Sequence, residues 1–184
     1  MTAKRLCLVL TLVLAVGFLL RDARADDPPK HKYMGALTCK MCHQKAEEGE
    51  QFKLWSESLH AKAWEVLASD KAKEAGAKKG IADPQNAPEC LKCHVTAYGE
   101  PKESYEKPDK WDPKLGVQCE SCHGPGADYW KKETMKDKDK AIANGLIIPD
   151  EKTCTKCHNT DSPFYKEFKF DEFKAKIAHP KPKK

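Results

Sequence analysis

The sequence predicts a mainly α-helical chain of helices joined by long irregular links, with little or no sheet. Three observations predict it. Apolar residues recur at steps of three and four over residues 44–69, and no stretch alternates convincingly between apolar and polar. Proline and glycine cut the chain into separate pieces. With only 8% aromatic residues and 33% charged residues among 184, the chain is poor material for a large apolar core, so something else must supply hydrophobic surface.

The chain opens on an export leader, residues 1–25. Lys4 and Arg5 form a positive start, Leu6 to Leu20 is a run of apolar or small residues, and Ala23-Arg24-Ala25 offers small residues at a cleavage site. The run is shorter than the roughly 20 residues that span a bilayer; an uncleaved membrane anchor is the alternative. Cys7 leaves with the leader. Residues 26–184 then form one domain, the size of the chain giving no reason for a second.

Removing Lys4, Arg5, Arg21, Arg24 and Asp22 with the leader leaves 29 basic against 27 acidic residues, a net of +2 in place of +5. The basic balance belonged mostly to the leader. The remaining lysines are interspersed with acids, so no nucleic-acid partner is expected. The Lys181-Pro182-Lys183-Lys184 end reads as a solvated terminus.

Within the domain, Phe52, Trp55, Leu59, Ala63 and Leu67 predict an amphipathic helix over residues 44–69, and a second helix follows over 70–79, ending at Gly80. Pro84 and Pro88 then lead into the next segment. Pro101, Pro108 and Pro113 make 99–118 a long surface loop. Residues 128–144 predict a helix closed by Gly145, and 172–178 a short one capped by Asp171 and stopped by Pro180.

All eight cysteines of the domain fall in four pairs, each followed at once by histidine. These are Cys39-Lys40-Met41-Cys42-His43, Cys90-Leu91-Lys92-Cys93-His94, Cys119-Glu120-Ser121-Cys122-His123 and Cys154-Thr155-Lys156-Cys157-His158. Random placement of this composition gives about 0.02 such pentapeptides. The spacing fits covalent haem attachment: two thiols add to the two vinyl groups on one porphyrin edge, and the next residue turns its imidazole to the iron. Zinc accepts paired thiolates but has no need of histidine after every second cysteine, and disulfide or thioredoxin-like pairing fails for the same reason. The reading is therefore four c-type haems, with His43, His94, His123 and His158 as proximal iron ligands. The porphyrins themselves become the missing core. The unequal intervals between motifs argue against a tandem repeat.

Each iron has a second face, for which only His31, His60 and His179 remain as histidines. His60 shares its helix face with Trp64 and Leu67, where an imidazole is best explained by a metal partner. His179 ends the last helix and also suits the helix dipole. His31 lies close to the leader cut, where mobile ends are common.

The residues resemble the tetrahaem cytochromes of the cytochrome c-554 family, whose named member receives electrons from hydroxylamine oxidoreductase. The matching stretches are 33–43, 55–67 with Ser58-Leu59-His60-Ala61-Lys62-Ala63, 89–99, 116–126 with Gly-Pro-Gly after His123, and 168–173. The resemblance implies that His60 caps the iron of His123 and His179 the iron of His43, and that the haem of His94 lacks a protein ligand on its far side. It also implies a histidine in the segment after the third motif for the fourth haem. This chain departs there: 127–151 holds no histidine, Met135 is the candidate substitute, and His31 is left for either unclaimed iron.

The expected function is electron transport by a periplasmic or otherwise exported cytochrome. Four porphyrins in so short a chain cannot avoid near contact, and redox partner proteins would dock transiently on exposed haem edges. Membrane association enters only through partners or an uncleaved leader, and self-association is left open. Two alternatives stand beside this reading. One is a small reductase acting on nitric oxide, nitrite or hydroxylamine at an open-faced haem, although no residue can be assigned as its proton donor. The other is a subunit of a haem filament.

Overall fold

The computed structural model describes residues 30–180; the export leader and its cut lie outside the described residues. Among the described residues, nine short α-helices carry the chain. They are α1 (Ala36–His43), α2 (Gln51–Ser56), α3 (Asp70–Ala77), α4 (Pro88–His94), α5 (Cys119–His123), α6 (Lys132–Met135), α7 (Lys138–Ala143), α8 (Glu151–Thr155) and α9 (Phe170–Ile177). Among the described residues there is no strand, and only an isolated bridge joins Tyr33 to Tyr105. The mainly α architecture with long links is as the sequence predicts.

Two predicted helices are corrected. Residues 44–69 do not form one helix: α2 ends at Ser56, a run of turns follows, and Glu65–Ala68 is a 3-10 turn. Leu59, assigned to the buried stripe, is 81% exposed. The tertiary fold overrides the apolar period here, because the His60–Ala63 turn packs on the backbone of Gly116 and Val117, and Val117 N–H donates to His60 O at 2.9 Å. The helix predicted over 128–144 is divided into α6 and α7 by Asp137, whose carboxylate accepts the Lys140 N–H at 3.0 Å as an N-cap. At the C-terminus Lys169, not Asp171, is the capping position of α9, and Asp171 lies in its first turn.

The remaining elements follow local signals. Ser69 caps α3 by accepting the Ala72 N–H. Pro88 opens α4 at a position whose missing N–H costs nothing. Asp150 and Thr153 form a reciprocal capping box at the start of α8. The long loop over 99–118 is pinned by three 3-10 turns.

The protein core is small. Leu67, Leu91 and Val95 form a buried cluster with Trp64 and Cys90 against it. Large apolar side chains stand outside it, among them Leu37, Met41, Ile147, Ile148 and Phe164, each between 39% and 55% exposed. In their place the centre is polar. Gln118, Thr96, Ser104 and Glu120 are all at most 3% exposed. Gln118 accepts the Ala36 N–H at 2.8 Å and donates to Asp112 O at 3.1 Å. Thr96 Oγ1 meets Ser121 Oγ at 2.6 Å. Glu120 accepts the N–H groups of Met34, Gly35 and Gly126. The segment of the third motif is therefore the hub to which the first helix, the chain after the second motif and the long loop are tied.

Candidate functional site

Each of the four motifs begins on a short helix; in the first three the helix carries both thiols and the imidazole, and in the fourth it ends at Thr155, before Cys157 and His158. No disulfide joins the eight cysteines. The motifs meet through their thiols. Cys39 and Cys119 are within hydrogen-bonding reach of each other, as are Cys93 and Cys157, while Cys122 lies near both Cys154 and Cys157. In space the order is thus first, third, fourth, second, which is not the order in sequence. Burial, with neighbouring thiols adding to it, pushes Cys122 up to about 11 and Cys157 up to about 12.

The motif histidines are oriented by their neighbours. His94 Nδ1 lies 2.6 Å from Ala63 O and His123 Nδ1 lies 3.3 Å from Ile147 O. A carbonyl only accepts, so Nδ1 carries the proton and Nε2 keeps its lone pair. His43 Nδ1 lies 3.3 Å from Gln51 Oε1. Gln51 is fixed that way round because its Nε2 donates to Pro180 O at 2.9 Å and to Glu48 O. In all three motifs the nitrogen left open is the one a haem iron takes.

Two distal candidates lie against motif histidines. The rings of His60 and His158 are 6.0 Å apart and those of His123 and His179 are 5.9 Å apart. Two imidazoles on opposite faces of one metal, each at a metal–nitrogen distance of about 2 Å, bring their ring centres to about 6 Å. Burial is the first cause that lowers the pKa of His60, His123, His158 and His179, which keeps them in the neutral form that binds metal. His43 adds to the lowering at both His123 and His179, so the three gather at one end. The arrangement departs from the pairing implied by resemblance: His60 lies against His158 instead of His123. His60 also stands in a turn and not on a helix.

His31 bonds Asp128 through Nδ1 at 2.7 Å. Met135 is half-buried at the end of α6. Asp128, Gln51 and Glu120 escaped the sequence reading. Gln51 and Asp128 are single polar residues with no local pattern, and two of the three backbone partners of Glu120, Met34 and Gly35, lie more than 80 positions away.

The site fits haem better than a bare ion. Among the described residues no three His, Cys, Asp or Glu side chains converge as an ion site. Exposed apolar side chains beside a small core are what large apolar cofactors would cover. Ser58 Oγ, two residues before His60, is buried without a hydrogen-bond partner. No described helix is long and apolar enough to cross a membrane.

The chain is similar to known proteins. The family profile described as "Cytochrome c554 and c-prime" matches residues 38–124. Cytochrome c-554 of Nitrosomonas europaea is 31% identical over 163 residues, covering 80% of this chain; the chain spans 66% of that relative's length. The solved structure of reduced cytochrome c554 from Nitrosomonas europaea aligns with a TM-score of 0.53 at 27% identity, covering 80% of this chain and 78% of that one.

Proposed function

Since this chain belongs to the cytochrome c-554 family, carrying covalent c-type haem iron, we propose that it is an exported electron carrier holding four haems in one conducting row. The observation that carries the reading is the meeting of the motifs through Cys39–Cys119, Cys122–Cys154 and Cys93–Cys157. Sites whose attachment atoms approach this closely bring their cofactors into tunnelling range.

When bound, the haems supply one-electron exchange between ferric and ferrous iron. The chain does the rest. The eight thiols fix the position of each porphyrin edge, and Ala63 O, Ile147 O and Gln51 Oε1 hold His94, His123 and His43 in the ligating tautomer. His60 lies where it can share an iron with His158, and His179 where it can serve His123 or His43. Each ferric haem with two ionised propionates contributes about −1, taking the domain from +2 to about −2. Docking to redox partners would therefore be transient and salt-sensitive.

Expression with a haem-maturation system, followed by intact mass and a spectral redox titration, tests the proposal. The expected result is four added macrocycles, loss of the leader and several reversible one-electron steps. A colourless protein with no added mass overturns it. The described ring contacts bring no second histidine to His94, and that observation favours one alternative, a reductase working at an open iron there. Electron paramagnetic resonance of the oxidised monomer separates the two: a high-spin signal keeps the reductase, and four low-spin signals remove it.

A further inference from the structure

We propose that His31 is an axial haem ligand through Nε2 and that Asp128 is its positioning residue. The inference rests on the haem reading above. It goes beyond that reading by giving a ligand role to a residue outside every motif and naming the group that orients it.

Three observations carry it. First, His31 repeats the signature of the motif histidines. Its Nδ1 donates to Asp128 Oδ2 at 2.7 Å, as those of His94 and His123 face carbonyl oxygens. A carboxylate only accepts, so the open nitrogen is again Nε2, and among the described residues Nε2 makes no hydrogen bond. A carboxylate behind the non-ligating nitrogen is the arrangement that fixes ring orientation and raises the basicity of a metal-bound histidine.

Second, the ring is held in place. Its side chain is 19% exposed, and it lies against Gly145, where an added Cβ would come within 2.9 Å of His31 Cδ2 and 3.3 Å of Nε2. Gly145 has φ +101, so this position favours glycine twice, for its backbone and for the ring beside it.

Third, the segment carrying His31 is tied to the third motif. Ala127 N–H donates to Lys32 O at 2.9 Å, and Met34 and Gly35 donate to Glu120. Ile147, two residues beyond Gly145, donates its N–H to His123 O. His31 therefore stands among the backbone segments that enclose the motif residues, not on a loose terminus as its sequence position suggests. A plain surface ion pair would require neither the glycine against the ring nor an Nε2 left without a partner among the described residues.

The test uses the purified holoprotein and three variants, with haem content measured first. In His31→Gly, one low-spin ferric signal is expected to be replaced by one high-spin signal, at unchanged haem content, and added imidazole is expected to restore the low-spin form. Asp128→Asn is expected to stay low-spin, because the imidazole remains, while one haem potential moves upward, because the ligand loses the carboxylate that favoured ferric iron. Lys131→Ala, a nearby exposed change outside the site, is expected to match wild type in both readouts. Identical spin-state spectra for His31→Gly and wild type at equal haem content overturn the proposal. So does an Asp128→Asn protein with every potential unmoved. A protein that carries no haem at all would instead overturn the functional reading on which the proposal rests, and haem content separates that failure from the first two.

Discussion

Glu120 accepts the backbone N–H of Gly35 at 2.8 Å across 85 positions of sequence, which joins the third attachment motif to the start of the helix carrying the first. Its other oxygen takes Met34 and Gly126. Glu120→Gln leaves one oxygen for three donors and turns an amide N–H₂ toward one of them. A loss of about 1–3 kcal/mol is expected for a buried donor left without its acceptor, read as a lower midpoint in denaturant.

The pH dependence of that difference has a definite sign. Burial raises the Glu120 carboxyl above its ordinary value, opposed by the three backbone donors. A raised folded pKa means that this titration favours the fold most below the unfolded carboxyl range, and the advantage is lost as pH rises through the folded value. The stability gap between wild type and Glu120→Gln should therefore narrow as pH rises from about 4 to about 7. A gap that widens over that range contradicts the assignment.

Gly116 has φ +68, and a Cβ there would approach His60 O to 2.7 Å and Ala61 O to 3.1 Å. Those neighbours are backbone, so the His60 turn must move. With ψ −132 beside that φ, the backbone lies in a region sparsely populated by any residue but glycine, a strain of about 1–3 kcal/mol for an alanine. Gly116→Ala is expected to lower the midpoint of unfolding and to disturb one haem signal, the one that His60 serves. An unchanged spectrum would separate His60 from any iron.

The four Cys-x-x-Cys-His motifs stand out in the sequence because their pattern is local: thiol, two residues, thiol, imidazole. The α3 and α9 helices were legible within one or two residues because their stop signals, Gly80 and Pro180, are local as well. Residues 44–69 misled because Phe52, Trp55, Leu59, Ala63 and Leu67 keep a helical period while the chain at His60 is bent to meet Gly116 and Val117. Local order competed there with a contact more than fifty positions away, and the contact won. The break at Asp137 and the Asp150–Thr153 box escaped the sequence reading, because a lone capping residue inside or before a short polar segment competes with many equivalent ones. Glu120 was hidden because a motif's intervening residue carries no signal of its own when its partners are distant backbone.

Acid should release iron-binding histidines, motif and distal alike. His60, His123, His158 and His179 all have pKa values lowered mainly by burial. For a base with a depressed folded pKa, stability is fully present above the unfolded value near about 6.5 and is lost as pH falls through the folded value. Iron on the same nitrogen shifts each value further down. The oxidised spectrum is expected to stay low-spin on acidification through about pH 6 and to turn high-spin only below it. Absorbance followed against pH checks this; conversion that starts above the ordinary histidine value would place those rings in water.

Tyr129 supplies a contrasting case, in which structure is lost without loss of ligation. It is 5% exposed, and its hydroxyl lies 2.8 Å from Gly124 O and 3.0 Å from His123 O, donating to the chain directly after the third motif. Phenylalanine fills the same space and removes only the donor, leaving buried carbonyls without it. Tyr129→Phe should cost about 1–2 kcal/mol. Burial raises the phenol's pKa, so the hydroxyl remains a donor throughout the ordinary range. The cost should then be the same from about pH 6 to about pH 9. Haem count and spin state are expected to match wild type, because His123 keeps its Nδ1 partner at Ile147 O. A calorimetric midpoint unchanged by the substitution would mean that the loop after His123 is held by its glycines and by the Ile147 N–H alone.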